Sequence, residues 1–204
     1  MWNWRKGSFF AKNGGKVIAI DFTENQLKVA KDYAKRVGVD NKIIFKQKDI
    51  INSSLKDLEK FDIIICTGVL HHTEDAYKGF LNLVGLLERN GIIIVGLYHK
   101  YARWRFRFIR FLLHLFVSKD YKKLDLWFEK NNFFARFLKR APKNSVYDRY
   151  LVPFESYHTL REVKGWFKKN NLKFVENSKN VDGFEIFKIF ERKTLFFVSG
   201  HKNK

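Results

Sequence analysis

The chain has 204 residues, a single cysteine and a formal net charge of +19, and 46% of its residues are hydrophobic. This length fits one domain with one core, and the apolar content excludes an intrinsically disordered chain. The lone Cys66 excludes an intramolecular disulfide, the apolar runs are far shorter than the ~20 residues that span a bilayer, and no signal-peptide pattern opens the chain. We therefore expect a cytoplasmic protein.

Strand and helix patterns alternate along the chain. Short runs rich in Val, Ile and Phe predict the strands Lys16–Asp21, Ile43–Gln47, Phe61–Cys66, Ile92–Leu97, Lys173–Glu176, Phe184–Phe190 and Thr194–Ser199. Helical periodicity predicts the helices Thr23–Val37, Glu74–Leu87, Tyr101–Phe116 and Thr159–Asn170. The last helix has one apolar side, formed by Leu160, Val163, Trp166 and Phe167. Thr23 and Gln26 have the spacing of a capping box, and Arg89–Gly91 is typical of a turn. The alternation predicts a doubly wound, mostly parallel α/β sheet.

Acidic residues follow the first two predicted strands. Asp21 ends the first strand, where a carboxylate can accept hydrogen bonds from both hydroxyls of a ribose, because nucleotides bind at the carboxyl ends of strands in open α/β sheets. An acid at this position is also a common helix cap. Asp49 follows the second strand and precedes Ile50 and Ile51, a combination that suits an adenine amino group and ring face.

A glycine and two histidines follow the third predicted strand, within Cys66–Asp75. Gly68 allows the backbone to approach a ligand closely. His71 and His72 are either a packing pair at the start of a helix or residues of a pocket. Zinc needs three or four ligands, and the sequence offers no further ligand at suitable spacing, so we predict no metal site.

Together these features resemble the class I S-adenosylmethionine-dependent methyltransferases, especially the ubiquinone and menaquinone methyltransferases. The similarity rests on the strands that end in acids, on the box Val69–His72, and on the turn sequence Leu86–Gly91. It covers Lys12–Tyr98 well and Tyr157–Glu176 more loosely. It implies a Rossmann-like methyltransferase fold and methyl transfer from S-adenosylmethionine to a small-molecule or lipid-like acceptor.

The resemblance also implies roles for individual residues. Asp21 is expected to hold the ribose of the cofactor, with Phe22 against the adenine. Asp49 is expected to meet the adenine amino group, with Ile50 packed beside it. The methionine end of the cofactor is then lined by Thr67, Gly68 and Leu70. If the acceptor must lose a proton, the candidate bases are His71, His72 and His99, because histidine titrates near neutral pH.

One feature of the family is missing from the sequence. Family members carry a strand and a glycine-rich cofactor loop before the strand that matches Lys16–Asp21, and we find neither upstream of it. We therefore expect an N-terminally truncated single domain. Its cofactor-binding core covers residues 1–98, a basic aromatic helical insert covers 99–156, and a C-terminal helix and strands cover 157–204. A non-catalytic fragment or binding module is the alternative.

The insert holds most of the excess charge, since residues 98–150 contain 14 basic and 4 acidic groups. Its predicted helix has a basic face, formed by Arg103, Arg107, Arg110 and His114, and an apolar face, formed by Trp104, Phe108, Phe111 and Leu115. Such a helix can cap a substrate pocket, or use its arginines on an anionic membrane surface or a nucleic acid. Peripheral membrane location and RNA-directed methyl transfer are therefore further alternatives.

Overall fold

The computed structural model describes residues 5–52, 55–118, 120–130, 152–177 and 195–202. The chain divides into two compact units, Met1–Glu59 and Lys60–Lys204. Each unit has its own sheet, which combines strands with flanking helices as the sequence predicts. The prediction of an α/β fold is confirmed.

The first unit contains α1 (Arg5–Lys12), β1 (Val17–Asp21), α2 (Glu24–Arg36) and β2 (Ile43–Gln47). β1 and β2 pair in parallel, from Val17 opposite Ile43 to Asp21 opposite Gln47. A small core joins helix and strand residues: Ala11, Ala34, Val39 and Ile43. α2 begins after Thr23 as predicted, but the Thr23 side chain caps no helical N–H and donates to Asp21 instead. The predicted capping box with Gln26 is therefore wrong.

The second unit contains four strands and four α-helices among its described residues. They are β3 (Phe61–Thr67), α3 (Ala76–Gly85), β4 (Leu87–Tyr98), α4 (Trp104–Phe116), α5 (Tyr121–Lys130), α6 (Leu160–Lys169), β5 (Leu172–Asn177) and β6 (Leu195–Lys202). The strand order is β3-β4-β6-β5. β3 and β4 are parallel, whereas β6 runs antiparallel to both β4 and β5. The predicted strand Phe184–Phe190 lies outside the described residues.

The predicted turn at Arg89–Gly91 lies inside β4, not before it. Phe61 pairs with Leu87 and Ile63 with Ile92, so the intervening residues of β4 bulge out of the ladder. Asn90 takes a positive φ of 62° at this bulge. The turn residues therefore distort the strand without ending it, because β3 pairs with the chain on both sides of them.

α6 packs on the sheet of the second unit through its apolar side. The four residues predicted for this side, Leu160, Val163, Trp166 and Phe167, are all buried. Thr159 and Glu162 form a capping box at the start of the helix. Gly200 of β6 allows the close approach, because a Cβ there would lie 2.5 Å from the Phe167 ring. No helix within the described residues is long and apolar enough to cross a membrane.

Candidate active site

The carboxyl ends of β1 and β2 bring Asp21 and Asp49 to the same edge of the first sheet. The Lys48 N–H donates to the Asp21 carbonyl at 3.0 Å, which continues the pairing of the two strands to Lys48, the residue before Asp49. Asp21 Oδ1 accepts hydrogen bonds from the Thr23 N–H at 2.9 Å and the Thr23 hydroxyl at 3.1 Å. Both bonds are accepted by Oδ1, so Oδ2 takes no part in this turn.

Apolar side chains accompany both acids. Phe22 is 67% exposed, so its ring lies open to solvent beside Asp21. Asp49 Oδ1 accepts from the Ile51 N–H at 2.8 Å, and Oδ2 accepts from the Asn52 side chain at 3.1 Å. Ile50 is buried. The edge therefore combines carboxylates with an accessible aromatic ring, a chemistry that suits a nucleoside.

In the second unit, β3 ends in a tight turn that contains Thr67, Gly68 and Leu70. Gly68 adopts φ +82°, a conformation that L side chains rarely take, and its N–H donates to the Gly96 carbonyl of β4 at 3.2 Å. Leu70 is fully buried and accepts a 2.6 Å hydrogen bond from the Thr73 hydroxyl at its carbonyl. The turn thus exposes backbone at the carboxyl end of a parallel strand.

His71 is fully buried beneath this turn, in a column of stacked groups. Its ring stacks on Tyr98 with centroids 3.6 Å apart, and the Arg103 guanidinium lies 3.5 Å from the centroid of the same tyrosine. Both groups are so close that they must occupy opposite faces of the Tyr98 ring. His72 is partly exposed, and its Nδ1 lies 3.3 Å from the Phe154 carbonyl oxygen.

His99 follows β4 and is 2% exposed. Its Nδ1 accepts the backbone N–H groups of Tyr101 and Ala102, each at 3.3 Å. This nitrogen therefore organises the turn that leads into α4. A role for His99 as a base stays a prediction from sequence.

Two arginines of the predicted basic face of α4 turn inward onto a buried glutamate. Arg103 donates to Glu155 Oε1 at 2.6 Å, and Arg110 donates to Glu155 Oε2 at 2.8 Å. The Glu155 and Arg103 side chains are 1% and 3% exposed. The Tyr157 hydroxyl also donates to Glu155, at 2.6 Å. Burial first, and then the neighbouring Glu155, raise the pKa of Tyr157 well above its usual range, so this hydroxyl remains a neutral donor.

This arrangement corrects the expectation that Arg103, Arg107 and Arg110 together meet an external anion. Arg103 and Arg110 form salt bridges with Glu155 inside the second unit. Arg107 remains exposed, with its guanidinium 4.8 Å from the Tyr157 ring centroid. The predicted apolar face is the one that faces solvent, because Trp104, Phe108, Phe111 and Leu115 are between 44% and 61% exposed.

Sequence reasoning missed three hydrogen-bonded polar residues, the first of which contacts the segment after β3. Ser156 Oγ is 2.9 Å from His158 Nε2, and His158 Nδ1 is 2.9 Å from Glu162 Oε1. The backbone N–H of Ser156 donates to the His71 carbonyl at 2.8 Å. The only sequence signal was the spacing of His158 and Glu162, four residues apart at the start of a predicted helix.

Metal ligation finds no support in the described part of the chain. No group of three or more His, Cys, Asp or Glu side chains converges there. Cys66 is buried near the end of β3, and burial raises the pKa of its thiol to about 12, which disfavours the thiolate that metals bind.

A sequence family described as a methyltransferase domain matches residues 7–95. This match adds to a fold of alternating strands and helices, with acids at the strand ends and a glycine turn after β3. Over residues 7–95 the chain is therefore similar to methyltransferases.

Individual relatives are similar to a large part of the chain. The ubiquinone biosynthesis O-methyltransferase of Rickettsia canadensis (strain McKiel) is 29% identical over 178 residues, which cover 82% of this chain and 64% of the relative. Its counterpart from Rickettsia felis (strain ATCC VR-1525 / URRWXCal2) is 29% identical over 154 residues, which cover 75% and 52%. The chain thus spans about half to two thirds of the length of these relatives.

Two solved structures are similar in fold. PKMT2 from Rickettsia typhi in complex with AdoHcy has a TM-score of 0.65 at 16% identity, covering 97% of this chain and 46% of that chain. Magnesium protoporphyrin IX methyltransferase (ChlM) from Synechocystis PCC 6803 with bound SAH has a TM-score of 0.58 at 14% identity, covering 97% and 68%. At these identities the likeness shows the fold alone.

Proposed function

We propose that the chain binds S-adenosylmethionine and transfers its methyl group to a small-molecule or lipid-like acceptor. The observation that carries this proposal is the turn after β3. There Gly68, at φ +82°, presents open backbone at the carboxyl end of a parallel strand, in a chain whose residues 7–95 match a methyltransferase domain. A side chain would crowd a ligand at this position and would strain the backbone.

We assign the nucleoside end of the cofactor to residues at the carboxyl ends of β1 and β2. Asp21 Oδ2 is the oxygen that its turn does not use, so it is the acceptor we propose for the ribose hydroxyls. Phe22 is exposed enough to lie against an adenine ring, and Asp49 follows the neighbouring strand with Ile50 beside it. For Thr67, Gly68 and Leu70 we keep the role that the sequence resemblance implies, contact with the methionine part of the cofactor.

Methyl transfer needs alignment more than it needs strong acid–base chemistry. The acceptor atom attacks the methyl carbon in line with the departing sulfur, and fixing this geometry lowers the barrier. His71, His72 and His99 remain the bases proposed from sequence for an acceptor that carries a proton. The inward pairs of Arg103 and Arg110 with Glu155 support the cap role for α4, because they fix the helix to the segment beside the β3 turn.

A second, peripheral role is favoured by the apolar face of α4. We propose that the stripe Trp104, Phe108, Phe111 and Leu115 lies on an anionic membrane surface, which would bring a lipid-like acceptor to the enzyme. Exposed aromatic side chains on a helix rich in arginine have the composition of an interfacial helix.

The cofactor assignment is tested by replacing Asp21. Asp21→Ala should weaken S-adenosylmethionine binding by about 1.5–3 kcal/mol, because the ribose would lose hydrogen bonds to a charged acceptor. Isothermal titration calorimetry measures the change. Asp32→Ala, an exposed acid on α2, is the matched control and should leave the affinity unaltered. Equal affinities for the two variants would remove Asp21 from the site, and a parent chain that binds no cofactor would support the binding-module alternative.

A further inference from the structure

Ser156, His158 and Glu162 form a continuous hydrogen-bonded chain. The distance from Ser156 Oγ to His158 Nε2 is 2.9 Å, and the distance from His158 Nδ1 to Glu162 Oε1 is also 2.9 Å. A hydroxyl, an imidazole and a carboxylate in this order are the arrangement by which enzymes activate a hydroxyl group.

The chemistry of the partners sets the direction of each bond. An ionised carboxylate only accepts hydrogen bonds, so the proton of the neutral imidazole lies on Nδ1 and points to Glu162. His158 Nε2 then carries a lone pair, and the Ser156 hydroxyl donates to it. The oxygen lone pairs of Ser156 are left to accept a proton from another molecule.

Backbone hydrogen bonds hold these three residues at the carboxyl ends of β3 and β4. The Ser156 N–H donates to the His71 carbonyl at 2.8 Å, and the His158 N–H donates to the Tyr98 carbonyl at 2.9 Å. The Lys100 N–H in turn donates to the His158 carbonyl at 3.0 Å. Ligands of open α/β sheets bind at this end of the strands, so Ser156 lies where an acceptor would enter.

Of these three residues, His158 is shielded from solvent, whereas the Glu162 side chain is exposed to it. His158 is 7% exposed, and its ring packs edge-on against Trp166 with centroids 4.9 Å apart. The Glu162 side chain is 43% exposed and borders an open depression on the surface of α6. A proton that reaches His158 can therefore leave to water past Glu162.

We propose that Ser156, His158 and Glu162 form a proton relay for the methyl acceptor, an inference that rests on the proposed function. The acceptor oxygen attacks the methyl carbon; the new O–C bond forms while the S–C electron pair returns to sulfur. The acceptor proton passes to Ser156 Oγ as the proton of Ser156 passes to His158 Nε2. Glu162 stabilises the imidazolium until its proton is lost to water.

A role of Ser156 as an acyl-transfer nucleophile fits the geometry less well. Such a nucleophile needs backbone N–H donors for the oxyanion, often including its own. The Ser156 N–H is already used by the His71 carbonyl. The relay needs only the hydroxyl oxygen and the imidazole behind it.

The kinetic test uses the full chain with S-adenosylmethionine and catechol, a probe with two ionisable hydroxyl groups. Ser156→Ala and His158→Gln should each lower kcat by roughly 100-fold or more, the usual contribution of a positioned base, while KM for S-adenosylmethionine stays unchanged. Lys168→Gln is the matched control. It changes an exposed side chain of α6 and keeps all three relay residues, so its kcat should match that of the parent chain.

A second measurement separates the relay from the methyl transfer. Nitrogen-15 NMR of His158 should show a proton on Nδ1 and a bare Nε2, with a low-field Nδ1 proton that Glu162→Gln abolishes. A proton on Nε2 overturns the relay. The relay is also overturned if Ser156→Ala keeps the kcat of the parent chain. It is overturned as well if the chain binds the cofactor but leaves catechol unmethylated. A chain with the expected His158 spectrum that binds no S-adenosylmethionine instead contradicts the proposed function.

Discussion

Cys66 shows how burial sets the chemistry of a single residue. The side chain lies in β3 and is 6% exposed, and loss of solvation raises the pKa of its thiol from 9.0 to about 12. At pH 8 the thiolate fraction of the folded chain is then about a thousandfold below that of an ordinary cysteine, and the thiolate is the form that reacts. We expect iodoacetamide to label the folded chain far more slowly than the urea-unfolded chain, as measured by mass spectrometry.

The same shift makes stability depend on pH. Between pH 9.0 and about 12 the unfolded thiol is ionised while the folded thiol keeps its proton. The folded state therefore binds more protons there, and the free energy of unfolding falls as pH rises through this window. Cys66→Ala is the control, because its free energy of unfolding should lack this part of the pH dependence. Rapid labelling of the folded parent chain would contradict both expectations.

Local sequence patterns predict the position of a side chain only where the groups that fix it are close in sequence. The cofactor candidates at Asp21 and Asp49 follow from strand ends, and the structure does bring them to one edge of the first sheet. The predicted capping box at Thr23 fails because Asp21, two residues away, competes for the hydroxyl. Ser156 and His158 could not be found in this way, since their positions depend on bonds to His71 and Tyr98, far earlier in the chain.

At the level of elements, helical periodicity predicts faces but not their directions. The predicted apolar residues of α4 are all exposed, whereas the basic set divides, with Arg103 and Arg110 inward and Arg107 exposed. The inward turn of the two arginines is decided by Glu155, 45 residues after Arg110 and 52 after Arg103. No window of local sequence contains that pairing. Leu113 of α4 also packs against Leu124 of α5, which fixes a third side of the helix.

Glu155 should therefore be central to the position of α4. Glu155→Gln leaves two arginines without their anionic partner in a buried site, and breaking such a pair costs about 3–5 kcal/mol. Urea denaturation followed by circular dichroism measures the loss. Glu59→Gln is the matched control, because its pair with Lys16 is exposed on both sides and is worth about 0–1 kcal/mol. Similar losses for the two variants would show that the buried cluster does not hold α4.

At the level of the whole molecule, the charge of +19 and the exposed stripe of α4 favour the same kind of partner. Composition alone predicts attraction to any anionic surface. The structure adds that the side chains available for contact on α4 are chiefly aromatic, since Arg103 and Arg110 are occupied by Glu155. Membrane contact would then depend more on buried apolar area than on those two charges.

Vesicle sedimentation distinguishes these contributions. Phe108→Ser with Phe111→Ser should abolish sedimentation with vesicles of phosphatidylserine and phosphatidylcholine, because burial of each phenylalanine contributes about 1.5–3 kcal/mol. Arg107→Gln, the matched control on the same helix, should weaken binding by only about 1 kcal/mol, the value of one charge near an anionic surface. Unchanged melting temperatures would show that the variants fold. Undiminished sedimentation of the double variant would refute contact through the stripe. Retention on RNA that falls steeply with salt would favour a nucleic-acid partner instead.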